Sequence, residues 1–247
     1  MFSMGANAPV TLSGAVTLNL AEQLALHILN WALSGEKSLS LNAAIAVLDM
    51  RTTIRPFGGP EMATTNLMTA QIARHYGVRF NGQAGLTDSM LPSVESGAQK
   101  ALSAIPTLLA GGSIWLDAGL LGIDEVVSPI QLILDNELAS ALKHFTNEFE
   151  ISEESIGLET ILESGPGGQY LDKIHTARYF RQEHWNPSLW NRRMRQAWLA
   201  EGAQRDIDKA RAIAVEVQQR GFQPQVMSES LEHAVLGIIA QAQRKLC

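Results

Sequence analysis

The chain has 247 residues and is 46% hydrophobic and 18% charged, a composition typical of a globular protein long enough for one large domain or two small ones. Its net charge of −6 argues against general nucleic-acid binding, and no apolar run reaches the ~18–20 residues of a membrane-spanning helix. The N-terminus lacks the pattern of a secretory signal, and the single cysteine, Cys247, excludes an intrachain disulfide, so we expect a cytoplasmic protein without a membrane segment.

Charge is distributed unevenly along the chain. Residues 121–163 carry one basic and ten acidic side chains, whereas residues 164–247 carry twelve basic and eight acidic ones. An acidic block followed by a basic tail is typical of two solvated helical faces, or of a docking surface for a partner protein.

The first elements predicted along the chain are a strand, a helix and a second strand. Residues 8–14 have the pattern of a short strand that closes on a glycine. Residues 15–33 follow as a helix, because apolar residues recur there at three- and four-residue spacing. Residues 38–48 predict an almost wholly apolar strand, as a sheet buried on both faces requires.

The same strand–helix unit then repeats. A helix is predicted from Pro60 to about Tyr76, a third strand at residues 78–82 with a helix that ends near Leu109, and a fourth strand at residues 113–116. Ser128 and Pro129 mark the start of the next helix, whose predicted buried stripe is Ile130, Ile133 or Leu134, Leu138, Ala141 and Phe145.

Four strand–helix units spaced by roughly 30–40 residues predict an α/β protein with parallel strands. Four consecutive β/α units are half of an eight-fold TIM barrel. A four-stranded parallel sheet would then expose two edges, so we expect other strands to complete it. The alternative is a small doubly wound sheet, which needs no partner.

The rest of the chain is predicted to be helical. Helices are expected near residues 152–163, 169–184, 202–219 and 228–243, and a segment around residues 189–199 leads into the third of them. No low-complexity linker precedes them. We therefore expect β/α units over residues 1–149 and a helical C-terminal extension over residues 150–247, packed on the same domain.

Candidate functional residues follow the strands, because ligands of parallel β/α folds bind at the carboxyl ends of the strands. Each candidate also has a structural alternative, such as a loop ion pair for Asp49 and Arg51 or a helix-start acid for Asp88. The candidates are Asp49, Arg51, Gln83, Thr87, Asp88, Asp117, Asp124 and Glu125. Convergence of these side chains at the carboxyl ends of the strands, a region called the mouth below, would favour a binding site.

A glycine-rich stretch at residues 165–168 separates the β/α units from the last helices. Its composition resembles a phosphate-binding loop, but it lacks the lysine and hydroxyl residue of a P-loop and follows no predicted strand. The alternative is a tight joint between two helices that requires positive φ. The six histidines and one cysteine show no spacing typical of metal ligands.

Ordered motifs along the whole chain resemble those of the trimethylamine methyltransferase family. The C-terminal motif is Gly165-Pro166-Gly167-Gly168-Gln169-Tyr170-Leu171, followed by His175-Thr176, Phe180-Arg181, Trp185, Pro187 and Leu189. Earlier matches include Asp49-Met50-Arg51-Thr52, Ala73-Arg74-His75-Tyr76-Gly77, Thr87-Asp88 and Leu134-Asp135-Asn136-Glu137. Because no pyrrolysine is present, the chain is similar to the branch without it.

The resemblance implies a TIM-barrel enzyme of roughly twice this length, of which the chain resembles the C-terminal half. Such enzymes transfer a methyl group from trimethylamine, glycine betaine or a related amine to the cob(I)alamin of a separate corrinoid protein. The chain itself would bind no cofactor directly. The expected partners are that corrinoid protein, the methylated amine, and an N-terminal barrel half or a second copy of this chain.

The resemblance and the predicted mouth together suggest roles for individual residues. Catalytic or charge-stabilising roles are expected for Asp117, Glu125 and His175, and substrate contacts for Gln83, Asp88, Tyr170 and Trp185. The residues of the family motif are Gly165, Pro166, Gly167, Gly168, Thr176 and Arg181. The alternative function is a non-catalytic binding or assembly protein built from a degenerate half-barrel.

Overall fold

The computed structural model describes residues 1–221 and 228–246, which form a mixed α/β structure with parallel sheets. The chain divides into two compact units, Met1–Ala210 and Arg211–Cys247. The described strands are β1 Phe2–Met4, β2 Ser40–Ala43, β3 Ile45–Val47, β4 Arg79–Ala84, β5 Ser113–Leu116, β6 Leu120–Leu121 and β7 Val126–Val127. The described helices are α1 Leu12–Ser34, α2 Pro60–His75, α3 Val94–Leu109, α4 Pro129–Phe145, α5 Glu153–Ile156, α6 Leu158–Ser164, α7 Ile174–Glu183, α8 Arg195–Ala200, α9 Asp206–Arg220 and α10 Glu229–Leu246.

The parallel strands are arranged in the order in which they occur along the chain. β1 pairs with β3, and β2 pairs with β4, which in turn pairs with β5. Only Ala44 separates β2 from β3, so the predicted second strand is present with one interruption. The predicted α/β class with parallel strands is therefore confirmed.

Helix α1 begins at Leu12, so the prediction of a strand at residues 8–14 was wrong. The Thr11 side-chain oxygen accepts a 3.3 Å hydrogen bond from the Gly14 amide and caps the helix. A Cβ at Gly14 would lie 2.7 Å from the Pro9 Cβ, so glycine permits the close approach of these segments. The first strand, β1, lies earlier in the chain than predicted.

Helices cover one face of the sheet formed by β2, β4 and β5. Phe80, Gly82 and Ala84 alternate as buried residues of β4, and a Cβ at Gly82 would lie 2.8 Å from Thr107 Cγ2 of α3. The alternating positions point to the opposite face. That face is more exposed, and Trp115 of β5 is 68% exposed on it.

The predicted bounds of α2, the predicted end of α3 and the predicted start of α4 agree with the structure to within a few residues, but the predicted stripe of α4 was partly wrong. Phe145 is 58% exposed, whereas Gln131, Asp135 and Glu137 are buried. Hydrogen bonds described below satisfy these polar groups, which is why a polar stripe can face the interior.

Several of the C-terminal helices differ from their predicted bounds, and α9 begins at Asp206 instead of residue 202. Gly157 adopts φ +66° and divides the predicted helix at residues 152–163 into α5 and α6. The helix predicted at residues 169–184 begins only at Ile174. None of the helices within residues 1–221 and 228–246 is both long and apolar enough to span a membrane. The expected boundary between residues 149 and 150 stays a prediction.

Candidate functional site

The carboxyl ends of β4 and β5 bring Gln83 and Asp117 together. Gln83 belongs to β4, Asp117 directly follows β5, and Gln83 Nε2 donates a 3.3 Å hydrogen bond to Asp117 Oδ2. Both strands are parallel neighbours and end at the same edge of the sheet. The structure thus places two of the residues predicted for the mouth in direct contact.

Burial has the largest effect on the pKa of the Asp117 carboxyl. Partial burial raises the pKa of the Asp117 carboxyl above its ordinary value; the hydrogen bond from Gln83 opposes the shift, and the charge of Asp124 adds to it. Burial also raises the pKa of Asp124, although Arg55 and Lys100 oppose that change. A cation bound beside these carboxylates would relieve the cost of their ionisation.

The hairpin β6–β7 carries Asp124 into the neighbourhood of Asp117. Its turn contains Ile123 at φ +58° and Asp124 at φ +68°, a left-handed conformation that is a genuine outlier for a β-branched residue. The Ile123 amide donates a 3.1 Å hydrogen bond to the Thr87 carbonyl oxygen. The loop after β4 therefore helps to hold the strained turn.

Glu125 was predicted to act at the mouth, and its neighbour Asp124 is the acid with an electrostatic influence on Asp117. Glu125 is exposed, and its amide donates to the Gly122 carbonyl oxygen at 3.1 Å. The sequence places both acids in the loop after the fourth strand, but only the shape of the turn distinguishes them.

Asp88 connects two loops at the mouth. Its Oδ1 accepts a 2.7 Å hydrogen bond from the Phe57 amide, and its Oδ2 accepts a 3.0 Å bond from the Gly58 amide. Gln99 Oε1 accepts bonds from the Thr87 hydroxyl at 2.5 Å and from the Asp88 amide at 2.9 Å. Both Asp88 carboxylate oxygens are therefore used within the protein, and its predicted contact with substrate stays a prediction.

The loop after β3 contains the ion pair that the sequence offered as an alternative to a site. Asp49 Oδ1 lies 3.6 Å from Arg51 Nε and accepts a 2.8 Å hydrogen bond from the Arg51 amide. The Arg51 side chain is 91% exposed. The backbone hydrogen bond from Arg51 lowers the pKa of the Asp49 carboxyl.

A buried ionic network lies beneath the Asp117 loop and was missed by the sequence analysis. Lys100 Nζ is 2.7 Å from Asp135 Oδ2, and the two side chains are 0% and 2% exposed. Lys100 Nζ also donates to the Asp117 carbonyl oxygen at 3.2 Å, and Asp135 Oδ2 accepts from the Gly119 amide at 2.7 Å. Gln131 Nε2 donates to Asp135 Oδ1 at 2.7 Å.

The sequence contained a signal for this network. The buried polar residues of α3 recur at four- and three-residue spacing, which places them on one helical face. They are Ser96, Lys100, Ser103 and Thr107. A polar stripe of this kind is ambiguous in sequence, because the same spacing describes a solvated face.

His175 braces the joint between α5 and α6. Its Nε2 lies 3.2 Å from the Glu154 carbonyl oxygen and 3.3 Å from that of Ser155, so a protonated Nε2 is the donor. A Cβ at Gly157 would lie 2.8 Å from this nitrogen. The described contacts of His175 are with this joint and with Tyr179, whose ring centroid lies 4.7 Å away.

The aromatic residues predicted to contact substrate pack along other elements. Trp185 Nε1 donates a 2.9 Å hydrogen bond to Ser140 Oγ of α4, and its ring meets that of Trp190 edge-on at 5.2 Å. The Tyr170 carbonyl oxygen accepts a 2.5 Å hydrogen bond from the Thr176 hydroxyl near the start of α7. None of their described contacts involves Asp117.

The glycine motif forms a turn between α6 and α7. Gly165 and Gly167 have φ of +64° and +75°, and a Cβ at Gly168 would lie 2.2 Å from the Ser164 carbonyl oxygen. The prediction of a helix joint requiring positive φ is confirmed, and Pro166 lies inside that joint. Arg181, the last motif residue, places its guanidinium 5.2 Å from the centroid of the Phe180 ring.

An apolar groove of about 880 Å³ lies between α1 and α2. Leu39 and Val78, which directly precede β2 and β4, line it together with Leu20 and Met68. It is therefore near the amino ends of the strands and lacks the carboxylates of the mouth. Among the described residues, no group of three His, Cys, Asp or Glu side chains is placed to hold a metal ion.

Parallel strands in chain order, with an amide and carboxylates at their carboxyl ends, define an α/β protein with a polar site at one edge of its sheet. A family model described as trimethylamine methyltransferase matches residues 1–246. The chain belongs to this family.

Curated relatives support the assignment. The chain is 25% identical over 98% of its length to trimethylamine methyltransferase MttB of Desulfitobacterium hafniense, and 29% identical over 80% of its length to a glycine betaine methyltransferase of the same species. It is 26% identical over 82% of its length to trimethylamine methyltransferase MttB of Methanosarcina thermophila. These matches span only 49%, 41% and 42% of the respective relatives.

Proposed function

We propose that the chain is the C-terminal half of a methyltransferase barrel that transfers a methyl group from a methylated or quaternary amine to the corrinoid of a partner protein. Membership in the family supports the methyltransferase activity. The single structural observation that carries the proposal is the Gln83–Asp117 contact at the ends of two parallel strands.

The mouth has the charge needed to hold a cationic nitrogen. A quaternary ammonium group has no N–H to donate, so a neighbouring carboxylate stabilises it through charge alone. Asp117 supplies that charge, and Gln83 orients the carboxylate through the hydrogen bond to Oδ2. Asp124 adds negative potential. The amine cation would in turn favour the ionised form of both acids.

The methyl acceptor would be a substrate that the partner protein delivers. Its reduced corrinoid would supply the nucleophile, and the nitrogen of the quaternary or protonated amine would keep the electron pair of the broken carbon–nitrogen bond and leave as a neutral amine. The task of this chain is to hold the amine with one methyl group accessible. The carboxylates and amide of the mouth fit a cation, and cobalamin would stay with the partner.

The half-barrel proposal is supported by strand order and by length. The four parallel strand positions follow one another as in consecutive β/α units, and the matched relatives are about twice as long as the chain. Strands from an N-terminal half, from a separate chain or from a second copy would complete the barrel. Sedimentation of the purified chain measures whether it assembles.

We place the protein in the cytoplasm, as its sequence predicts.

Binding of a small quaternary cation tests the proposed site. We expect tetramethylammonium to bind with a dissociation constant about tenfold higher in Asp117→Asn than in the unchanged chain, because the substitution removes the nearest charge while keeping the side-chain size. Asp172→Asn, the same chemical change at an exposed loop position, is the matched control and should bind normally. Equal affinity in all three proteins would favour the alternative of a non-catalytic assembly protein.

A further inference from the structure

We infer that Lys100 and Asp135 are positioning residues that fix the Asp117 loop, and that they thereby set the affinity of the mouth for a cationic amine. This inference rests on the proposed function. Both residues contact the backbone of the Asp117 loop, and the charge of Lys100 also opposes the rise that burial causes in the pKa of Asp117 and Asp124.

The contacts of the ion pair converge on one short segment. Lys100 comes from α3 and Asp135 from α4, and the 2.7 Å bond between them joins the two helices. The lysine donates to the carbonyl oxygen of Asp117, and the aspartate accepts from the amide of Gly119. The pair therefore holds both sides of the turn that presents the Asp117 carboxylate.

The turn itself requires such a support. Gly119 has φ +83°, and a Cβ there would lie 3.2 Å from the Leu132 Cβ, so the backbone passes close to α4 in a conformation that most residues avoid. A loop held by two buried charge-assisted hydrogen bonds keeps one geometry more strictly than a loop held by apolar contacts.

The complete burial of the pair argues against a role in stability alone. Removing two charges from water costs several kcal/mol per ion, and a well-packed apolar pair of similar volume is often equally stable or more stable. A pair whose bonds all ended on other helices could be replaced without consequence for the mouth. This pair ends on Asp117 and Gly119, so its replacement should alter the site.

Helix α3 holds the neighbouring loop as well. Ser103 Oγ accepts a 3.0 Å hydrogen bond from the Gly85 amide, directly after β4, and Gln99 binds the Thr87 hydroxyl and the Asp88 amide. The buried polar stripe of α3 thus reaches the loops after both β4 and β5. Gln83 and Asp117, which those strands present, depend on one common support.

The test replaces the pair by apolar residues in the full chain. Lys100→Met combined with Asp135→Leu leaves no buried charge unpaired, and we expect it to weaken tetramethylammonium binding at least about tenfold. We also expect hydrogen exchange at the Gly119 amide to become at least about tenfold faster, because that amide loses its acceptor. Arg205→Met with Asp208→Leu removes an ion pair whose side chains are 67% and 33% exposed, and is the control, expected to change neither measurement.

A second variant covers poor folding of the first. Asp135→Asn keeps the side-chain size and one acceptor oxygen, and should change both measurements in the same direction by at least about threefold. Either variant overturns the inference if it folds and leaves both measurements unchanged, and loss of folding in both variants would assign the pair to stability alone. If the unchanged chain binds no cation, the proposed function fails, whereas exchange at Gly119 still decides whether the pair fixes the loop.

Discussion

At the scale of single residues, the chemistry of the mouth depends on how readily Asp117 ionises. Burial raises the pKa of its carboxyl, and the charge of Asp124 contributes in the same direction. A folded-state pKa above the unfolded one means that ionised Asp117 disfavours the fold, a cost that appears as the pH rises through the folded pKa. Binding of a cation should show the opposite dependence and be lost as the pH falls through that pKa.

Asp124→Asn should lower the pKa of Asp117. The substitution removes a like charge from the neighbourhood and keeps the shape of the strained turn, because asparagine also tolerates the left-handed conformation. The measurement is a titration of the Asp117 carboxyl carbon by nuclear magnetic resonance. Glu125→Gln, one residue away and exposed, is the control and should give a smaller shift. A higher or unchanged Asp117 pKa in Asp124→Asn would contradict this electrostatic description.

The sequence predicted which residues lie at the site more reliably than it predicted which of them contact or influence each other. The sequence placed Gln83 and Asp117 at neighbouring strand ends, and the structure joins them. It did not predict which of Asp124 and Glu125 influences Asp117, since that depends on left-handed residues in the β6–β7 turn. Asp135 stood out only as a residue of a family motif, and its pairing with Lys100 was missed because buried ionic groups are rare and charged residues are normally assigned to solvent.

At the scale of elements, one glutamate connects α4 to the chain that follows α7. The buried carboxylate of Glu137 accepts hydrogen bonds from the amides of Ser188, Leu189 and Trp190 at 3.2, 2.8 and 3.1 Å. Burial would raise the pKa of Glu137, but these three backbone bonds outweigh it and leave the pKa below its ordinary value. This segment is also held by Lys209, whose Nζ donates to the Leu189 carbonyl oxygen at 2.6 Å.

Glu137→Gln should destabilise the fold by about 1–2 kcal/mol at neutral pH, because an amide replaces a charged acceptor of three hydrogen bonds. The stabilisation from Glu137 is fully present above the ordinary glutamate pKa of about 4.3 and is lost as the pH falls through the lower folded pKa. Urea unfolding at several pH values measures both effects. The variant should therefore lose less stability than the unchanged chain on acidification.

The exposed Glu148→Gln provides the control for that comparison, because it removes an equal charge outside the contact. Parallel pH profiles for Glu137→Gln and the unchanged chain would contradict the assigned role of the carboxylate.

Helices and strands with strong local sequence signals were predicted most accurately. Pro129 and the Ser128 cap fixed the start of α4, and the fourth strand was predicted with its observed bounds. The strand predicted at residues 8–14 was wrong because the Thr11 cap outweighed the apolar pattern. The inward face of α4 was partly wrong because its polar side chains are satisfied by distant partners, which periodicity does not reveal.

At the scale of the whole molecule, one surface and one length comparison underlie the proposal that further strands complete a barrel. One face of the parallel sheet is relatively exposed and includes Trp115, and the chain spans about half the length of the curated relatives it matches. The sequence predicted parallel strands from four repeated units; three of those strands are present, and the observed strands follow the order of the chain. In the proposed barrel, the completing strands would come from outside these units, so neither the strand pattern nor the local motifs could identify them.

The proposed activity can be measured directly as methyl transfer to a corrinoid. The purified chain, in the assembly it forms in the cell, is mixed with a reduced corrinoid protein and with glycine betaine or trimethylamine, and the spectrum of the corrinoid is followed as it accepts a methyl group. We predict transfer from one of these amines, with a rate reduced at least about tenfold in Asp117→Asn and unchanged in Asp172→Asn. An assembly that binds the corrinoid protein but transfers no methyl group from either amine, or a rate equal in all three proteins, would contradict the proposed function.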